Sequence, residues 1–349
     1  MPPPSSDDAP AFTAVEIVYH AWLTGLILTL VTRAGTPAAA EIVFRAFRRQ
    51  QETRFLPGLR KLGLRDLPHA VACARYHYLS NQVGGVGVEY AVESDRKAWI
   101  RYPPPRWIWS GTAICAIPTE VSRAILRGWH ANNGVLLGNP RLGFACTGQT
   151  VDGQPGLEGY YFEAAHDLAP DQRLRFAPGE RCPVVDPAAA PVLDPAAWPE
   201  ARLRKVMRNY AMDYITSIVP ETIAVLGAAE GGHLTGLSAR LIGMQFFAEA
   251  AAALGGIAPN AEGFARFLAR ILRGQGDDAI VVKSGPGWEV RQTTWTLMRE
   301  RASVTPEVFD AWTQLFTGAA AACDRALTLD IVQRRDRGHA FWAWRITRQ

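Results

Sequence analysis

The 349-residue sequence predicts an α+β protein made of two tandem, pseudo-symmetric repeats, each with a helical layer packed on a small antiparallel sheet. Three observations predict this class. Within each half, apolar residues first recur at helical spacing and later alternate as they do in strands. The same order of signals returns after about 190 residues, a period far longer than that of solenoid repeats. A segment rich in Pro, Ala and Asp separates the halves.

The repeat is a correspondence of pattern, because few side chains are identical. Tyr19 and Gly35 in the first half are matched by Tyr210 and Gly227 in the second. Each half is long enough to hold its own core, so fusion of an ancestral dimer is the simplest interpretation. Chance resemblance between two ordinary α+β units is the alternative.

The predicted domain boundaries follow from the repeat. Residues 1–10 lack the basic flank and apolar core of a signal peptide, and they are predicted to form a disordered tail. The first repeat covers 11–167, a linker covers 168–200, and the second repeat covers 201–349. The most apolar window, 21–32, is shorter than the roughly 20 residues of a membrane-spanning helix, so it predicts a buried core helix and no membrane partner.

In the first repeat, helical spacing breaks at Gly35, after which Thr36 is the predicted N-cap and Pro37 the first helical position of a second helix. Three consecutive prolines at 103–105 predict an extended segment that carries the neighbouring aromatic residues, including Trp109. The other predicted elements are a helix at 69–79, a strand at 86–92, a helix at 118–129 ended by an Asn-Asn-Gly turn, and a hairpin of 142–147 with 159–163.

The second repeat follows the same order of elements. Its predicted helices lie at 201–226, 233–254, 264–273 and 306–322, and its predicted strands lie at 279–282, 288–293, 327–333 and 340–346.

Composition limits the classes of partner. The net charge of +4 arises from 37 basic and 33 acidic residues spread along the chain, which argues against a nucleic-acid-binding protein. Five scattered cysteines without a CxxC pair indicate reduced thiols and a cytoplasmic location. The chain is predicted to be a monomer or a homodimer.

The standard motifs for cofactors and metals are absent from the sequence. It contains no glycine-rich loop followed by Lys-Ser or Lys-Thr, no GxGxxG opening a helix after a strand, no GxSxG, no HExxH and no EF-hand spacing. We therefore predict no cofactor and no metal site.

The strongest candidate for chemistry is the stretch Trp129-His130-Ala131-Asn132-Asn133-Gly134 at the end of the predicted fourth helix. His130 is the candidate catalytic residue, because imidazole is the most adaptable acid or base at neutral pH. Trp129 and Asn133 are candidate substrate-binding residues. A helix cap followed by an Asn-Gly turn is the structural alternative.

A second candidate lies on the first helix of the second repeat. Asp213 and Tyr214 are candidate catalytic residues and Tyr210 a candidate substrate-binding residue, since an apolar cavity beside this face would let the Asp213 carboxyl carry a proton. An exposed face on which Arg208 pairs with Asp213 is the alternative. Tyr19 and Trp22 occupy the equivalent position in the first repeat and are further substrate-binding candidates.

Three more aromatic or imidazole side chains are candidate substrate-binding residues: His77, Trp109 and Tyr161. His77 lies on the predicted third helix, where a satisfied core histidine is the alternative. Together these residues predict an aromatic-lined site for a small ligand.

The order of elements in each half resembles that of the 4-vinyl-reductase-like ligand-binding domains and the L-2-amino-thiazoline-4-carboxylic acid hydrolase-like proteins. The stretches that correspond to the family's cysteine-bearing segments read Ser110–Cys115, Leu157–Tyr161 and His339–Trp344, and the family's Cys-Asp pair is missing from both closing strands. The resemblance implies an apolar small-molecule pocket and puts the family's thiol chemistry in doubt here.

These observations predict a cofactor-independent enzyme that acts by acid–base chemistry on a small apolar or aromatic cyclic molecule, through ring hydrolysis, C–C cleavage or isomerisation. Whether the protein is an enzyme stays open, with a hydrolase-like or lyase/isomerase activity favoured. A non-catalytic small-molecule-binding or sensory protein is the alternative, and a scaffold that binds another protein is a third class.

Overall fold

Two compact units make up the chain in the computed structural model, which describes residues 9–349. The first unit is Leu30–Pro199; the second unit is the chain up to Thr29 together with Glu200–Gln349. The predicted tail lies outside the described residues except for Ala9 and Pro10, which begin the first helix.

Helix α1, Ala9–Arg33, belongs mainly to the second unit. The first unit continues with α2 (Thr36–Lys61), α3 (His69–Val83), β1 (Glu89–Ser94), β2 (Lys97–Tyr102), α4 (Thr119–Gly128), α5 (Asn133–Leu136), β3 (Leu142–Gly148), β4 (Leu157–Glu163) and β5 (Leu174–Phe176). Its sheet has the order β1-β2-β4-β3-β5, in which only the β3–β5 pair is parallel.

The second unit continues with α6 (Glu200–Leu226), α7 (Ala228–Ala253), α8 (Ala261–Gln275), β6 (Ala279–Ser284), β7 (Gly287–Gln292), α9 (Pro306–Cys323), β8 (Leu327–Gln333) and β9 (Trp342–Arg348). Its sheet is antiparallel with the order β6-β7-β9-β8.

The α+β class is confirmed, because each unit packs helices on a small, mostly antiparallel sheet. Helix α3 lies against β1, β2 and β4, and α8 lies against β6, β7 and β9. The order β1-β2-β4-β3 matches the order β6-β7-β9-β8. This similarity motivates the predicted tandem duplication, which stays a prediction.

The structure differs from the predicted elements in five places. Strand β2 was not predicted, and β5 lies inside the predicted linker 168–200, where its backbone pairs with β3. Trp107–Trp109 forms a 3₁₀ turn, because the extended preference of the prolines ends with Pro105. The predicted Asn-Gly turn is replaced by α5, which begins at Asn133.

The fifth difference concerns the start of α2. Its N-cap is Gly35, and Thr36 is already helical. Gly35 has φ +88°, a left-handed conformation that favours glycine, so the backbone requirement at this position outweighs the capping preference of threonine.

Hydrogen bonds explain why the first part of α1 belongs to the second unit. The Tyr19 hydroxyl donates to Gln275 Oε1 at 2.9 Å and accepts from Trp312 Nε1 at 2.8 Å. Trp22 Nε1 donates to Ser238 Oγ at 3.0 Å. These bonds join α1 to α7, α8 and α9, and residues 9–29 group with the second unit. The predicted boundary instead placed residues 11–29 in the first repeat. The boundaries at 11–167 and 201–349 stay predictions.

Among residues 9–349, α1 is the one helix long and apolar enough to cross a membrane, and 56% of its apolar window is buried inside the structure. The helix extends well beyond the apolar window 21–32. Its fully buried Tyr19 and Trp22 give it the packing of a core helix.

Candidate functional site

Two stacked imidazoles lie in the core of the first unit. The rings of His77 and His130 are 4.2 Å apart at an interplanar angle of 17°. His77 comes from the buried face of α3, and His130 comes from a 3₁₀ turn after α4. Helix α4 ends at Gly128, where a Cβ would meet the Phe44 carbonyl oxygen of α2 at 2.8 Å, and this close contact fixes the position of the turn.

Tyr161 on the central strand β4 completes this group. Neighbouring side chains on a strand point to opposite faces, so Tyr160 packs with Trp99 on one face of the sheet while Tyr161 faces α3. The Tyr161 hydroxyl lies 2.7 Å from Nδ1 of His130, and the Tyr161 ring stacks 5.8 Å from that of His77.

Amide side chains fix the direction of these hydrogen bonds. Asn133 Nδ2 donates to the Tyr161 hydroxyl at 2.9 Å, and Asn133 Oδ1 accepts from Gln51 Nε2 at 3.1 Å. Gln51 Oε1 in turn accepts from Asn132 at 2.8 Å. Because Tyr161 accepts from Asn133, its own proton is donated to Nδ1 of His130, which assigns the imidazole proton to Nε2.

His77 is held by a second branch. Its Nδ1 lies 3.3 Å from the Tyr102 hydroxyl, which also accepts from Asn81 Nδ2 at 3.3 Å. We call His77, His130, Asn133, Tyr102 and Tyr161 the imidazole cluster. All five side chains are at most 6% exposed.

Burial keeps the imidazole cluster neutral. Desolvation, with a smaller contribution from the Arg106 guanidinium, lowers the pKa of His130 to about 3. Burial and the neighbouring His130 hold the pKa of His77 well below its usual value. Burial likewise holds the pKa of Tyr161 well above its usual value. At neutral pH the cluster is therefore a set of uncharged donors and acceptors with one cation, Arg106, beside it.

Two consecutive side chains offer unused hydrogen-bonding groups. Within residues 9–349, Nε2 of His130 has no hydrogen-bond partner, although the side chain is only 5% exposed. The buried Nε1 of Trp129 also has no partner among the described residues. Trp129 lies edge-on to His77 at 6.0 Å. Unpaired buried donors are rare in proteins, and Nε1 of Trp129 is one that lies beside the imidazoles.

A surface cleft of about 250 Å³ lies near the imidazole cluster, between α2, α3 and α5. Its lining residues are Leu56, Leu59, Arg60, Leu64, Arg65, His69, Ala72, Leu136 and Leu137. The floor is therefore apolar and the polar groups are basic.

An aromatic pair links the helices that line the cleft to the imidazole cluster. Phe55 is one helical turn before Leu59 on α2, and Tyr76 is one turn after Ala72 on α3. The rings of Phe55 and Tyr76 meet edge-on at 5.1 Å, and Tyr76 in turn meets His77 at 5.4 Å.

The structure brings five of the predicted residues together: His77, Trp129, His130, Asn133 and Tyr161. Trp109 is also buried in the first unit. Asp213, Tyr214 and Tyr210 are half-buried on α6 of the second unit, to which Tyr19 and Trp22 also belong. The predicted roles of all these residues stay predictions.

Two side chains near Asp213 on α6, Tyr214 and Arg208, contact other residues of the second unit. The Tyr214 ring lies 6.2 Å from that of His20, whose pKa burial lowers to about 4. Arg208 donates to the Gly274 carbonyl, and its guanidinium lies 4.7 Å from the Phe12 ring centre.

Sequence reasoning missed Gln51, Tyr102 and Arg106. Gln51 carried a usable signal, because it continues the four-residue spacing of Phe47 and Phe55 on the buried face of α2. A polar residue on such a stripe needs a buried partner.

Two buried cysteines, Cys73 and Cys146, belong to the core of the first unit. Burial raises the pKa of Cys73, and it raises that of Cys146 to about 12, so neither is an activated nucleophile. Within residues 9–349, no group of three or more His, Cys, Asp or Glu side chains could hold a metal ion.

Comparison with protein-family models, with curated proteins and with solved structures found no match to this chain.

Proposed function

We propose that the first unit is the working part of a cofactor-independent enzyme that acts by acid–base chemistry on a small apolar or aromatic cyclic molecule. The observation that carries the proposal is the pair of unused groups, Nε2 of His130 and Nε1 of Trp129, at a buried, neutral imidazole cluster. Strongly shifted pKa values with a specific charged neighbour are typical of catalytic sites.

The hydrogen-bond directions suggest how a proton would move. Nε2 of His130 would donate a proton to the ligand while Nδ1 takes the phenolic proton of Tyr161, so the imidazole stays neutral. Asn133 would stabilise the phenolate through its existing hydrogen bond, and Arg106 would offset the new negative charge. A proton released by the ligand to Nε2 would return the Nδ1 proton to Tyr161, which balances an isomerisation. Hydrolysis would in addition consume a water molecule, and C–C cleavage would release a second product.

The cleft is the proposed entrance. A ligand held there would reach His130 only after the Phe55 and Tyr76 rings rotate apart. Closed aromatic pairs of this kind exclude water from a reacting site, which strengthens the hydrogen bonds inside it.

The same closed pair favours a second candidate, a non-catalytic small-molecule-binding or sensory protein. In that case the ligand stays in the cleft, and the imidazole cluster is a polar core that specifies one packing. The resemblance to ligand-binding domains supports this candidate equally. A cytoplasmic location remains part of the first proposal, and the catalytic roles of Asp213 and Tyr214 in the second unit stay predictions.

A ligand screen followed by proton-exchange measurements separates the two candidates. Aromatic and terpenoid-like compounds are screened by thermal shift, and each binder is incubated with the protein in D₂O and followed by NMR. The enzyme proposal predicts a new product or deuterium in the ligand. His130→Gln should then slow this chemistry by about a hundredfold or more while binding is kept. His166→Gln, an exposed histidine of the same unit, is the matched control.

Each outcome decides between the candidates. Chemistry that survives His130→Gln unchanged would show that the role of His130 is wrong. Binding with neither product nor exchange would establish the sensor candidate. Absence of any thermal shift across the screen would leave the scaffold class.

A further inference from the structure

Two arginines at the cleft carry charges that the described part of the chain does not pair. Arg60 and Arg65 line the cleft, and neither guanidinium forms an ion pair or a hydrogen bond with any residue in 9–349. Other arginines of the first unit are engaged: Arg45 with Glu41 at 2.7 Å, and Arg101 with Glu89 at 2.6 Å.

The third polar group of the cleft is also a donor. Asn139 Nδ2 lies 3.0 Å from Nδ1 of His69. Because an amide nitrogen donates, Nδ1 accepts, and the proton of His69 is on Nε2. The cleft therefore offers two guanidinium groups and one imidazole N–H, and no carboxylate lines it.

The rest of the lining is apolar: Leu56, Leu59, Leu64, Ala72, Leu136 and Leu137. A cleft with this floor buries a hydrocarbon body, and its basic rim matches an anionic oxygen group, which arginine binds in a bidentate geometry. Its volume of about 250 Å³ lies below the roughly 300–1,000 Å³ of sites for drug-sized ligands, so the body is small.

We infer that the ligand of the first unit is a small organic anion, with an apolar body of about one ring on the leucine floor and a carboxylate or phosphate group held by Arg60 and Arg65. This inference rests on the proposed small-molecule function and adds the substrate class. It also orients the ligand, because an anionic group at Arg60 and Arg65 leaves the apolar body on the leucine floor of the cleft.

Charge-matched probes test the inference on the full-length protein. Benzoate and phenyl phosphate carry the anionic group, and benzamide has the shape of benzoate without its charge. Binding is measured by isothermal titration calorimetry and by NMR. We expect benzamide to bind at least tenfold more weakly than the tighter of the two anions, and the comparison of benzoate with phenyl phosphate identifies the preferred group.

Variants assign the effect to the cleft. Arg60→Ala and Arg65→Ala should each weaken binding of the preferred anion about tenfold, and Arg60→Lys should recover only part of it. Both residues are exposed, so folding should be unaffected. Arg45→Ala removes the same charge from the same helix outside the cleft and should leave binding unchanged.

Failure of the inference and failure of the proposed function give different results. If benzamide binds as tightly as the anions and the Arg60 and Arg65 variants bind normally, the anion inference is overturned while a small-molecule site remains. If no probe binds and the wider compound screen also gives no thermal shift, both are overturned.

Discussion

Replacing His130 with glutamine should remove part of the protein's sensitivity to acid. The pKa of His130 is lowered in the folded state to about 3 from the ordinary 6.5, because the imidazole is buried. In the unfolded chain it binds a proton below pH 6.5, so its contribution to stability is complete at neutral pH and is lost as the pH falls from 6.5 toward 3.

The size of the effect follows from these two values. Each pKa unit corresponds to about 1.4 kcal/mol, and pH 5 lies about 1.5 units below the ordinary imidazole pKa. The free energy of unfolding of the first unit should therefore fall by about 2 kcal/mol between pH 7 and pH 5 on account of His130 alone. His77 should add a change of the same sign.

The assay compares urea unfolding of wild type and His130→Gln at pH 7 and pH 5. Titrating groups other than His77, whose pKa also depends on His130, cancel in the difference between the two proteins, and glutamine retains a hydrogen-bonding partner for Tyr161. The variant should be the less stable protein at pH 7, with a loss toward pH 5 that is about 2 kcal/mol smaller. His166→Gln, exposed in the same unit, is the control for the substitution itself. Equal losses in wild type and His130→Gln would refute the reasoning.

Three further predictions concern the second unit. Gly243→Ala should destabilise it by about 2 kcal/mol in urea unfolding, because a Cβ would collide with the Leu315 carbonyl oxygen. On the same helix, a Cβ at Gly236 would meet the flexible Gln314 side chain at 3.2 Å and Ala311 at ordinary contact distance, so Gly236→Ala should unfold within about 1 kcal/mol of wild type. Tyr19→Phe should lower the free energy of unfolding by about 2 kcal/mol, since Trp312 Nε1 and Gln275 Oε1 lose their partner; an unchanged urea midpoint would contradict this. Burial raises the pKa of Asp277 to about 6 from 3.8, so the unit should lose up to about 3 kcal/mol of stability as the pH rises from 4 to 7. Asp277→Asn should abolish this dependence of stability on pH. If the dependence is retained, another group is responsible.

Local patterns predicted most of the elements, because each depends on residues a few positions apart. The helices at 69–79 and 118–129 correspond to α3 and α4, and the hairpin at 142–163 corresponds to β3 and β4. Strand β2 escaped detection because it lies between β1 and β4 with most of its side chains buried, so it lacks the alternation of a half-exposed strand.

The candidate site was predictable residue by residue but not as a cluster. His130 and Asn133 stand out in the sequence because imidazole and amide groups adjoin a tryptophan. Their partners Gln51 and Tyr161 are 82 and 28 positions away from Asn133, and no local pattern encodes such contacts. Asp213 and Tyr214, the other predicted catalytic residues, lie in the second unit, whereas the imidazole cluster lies in the first.

We expect a ligand that enters the cleft to reach the imidazole cluster. NMR of the Trp129 indole N–H tests this expectation most directly. Titration with benzoate and phenyl phosphate should move this signal in step with occupancy of the cleft, and Arg60→Ala should shift the curve to higher ligand concentration. Trp312 Nε1, already bonded to Tyr19, provides an internal reference that should not move. An unchanged Trp129 signal at full occupancy would contradict the claim and confine the ligand to the cleft.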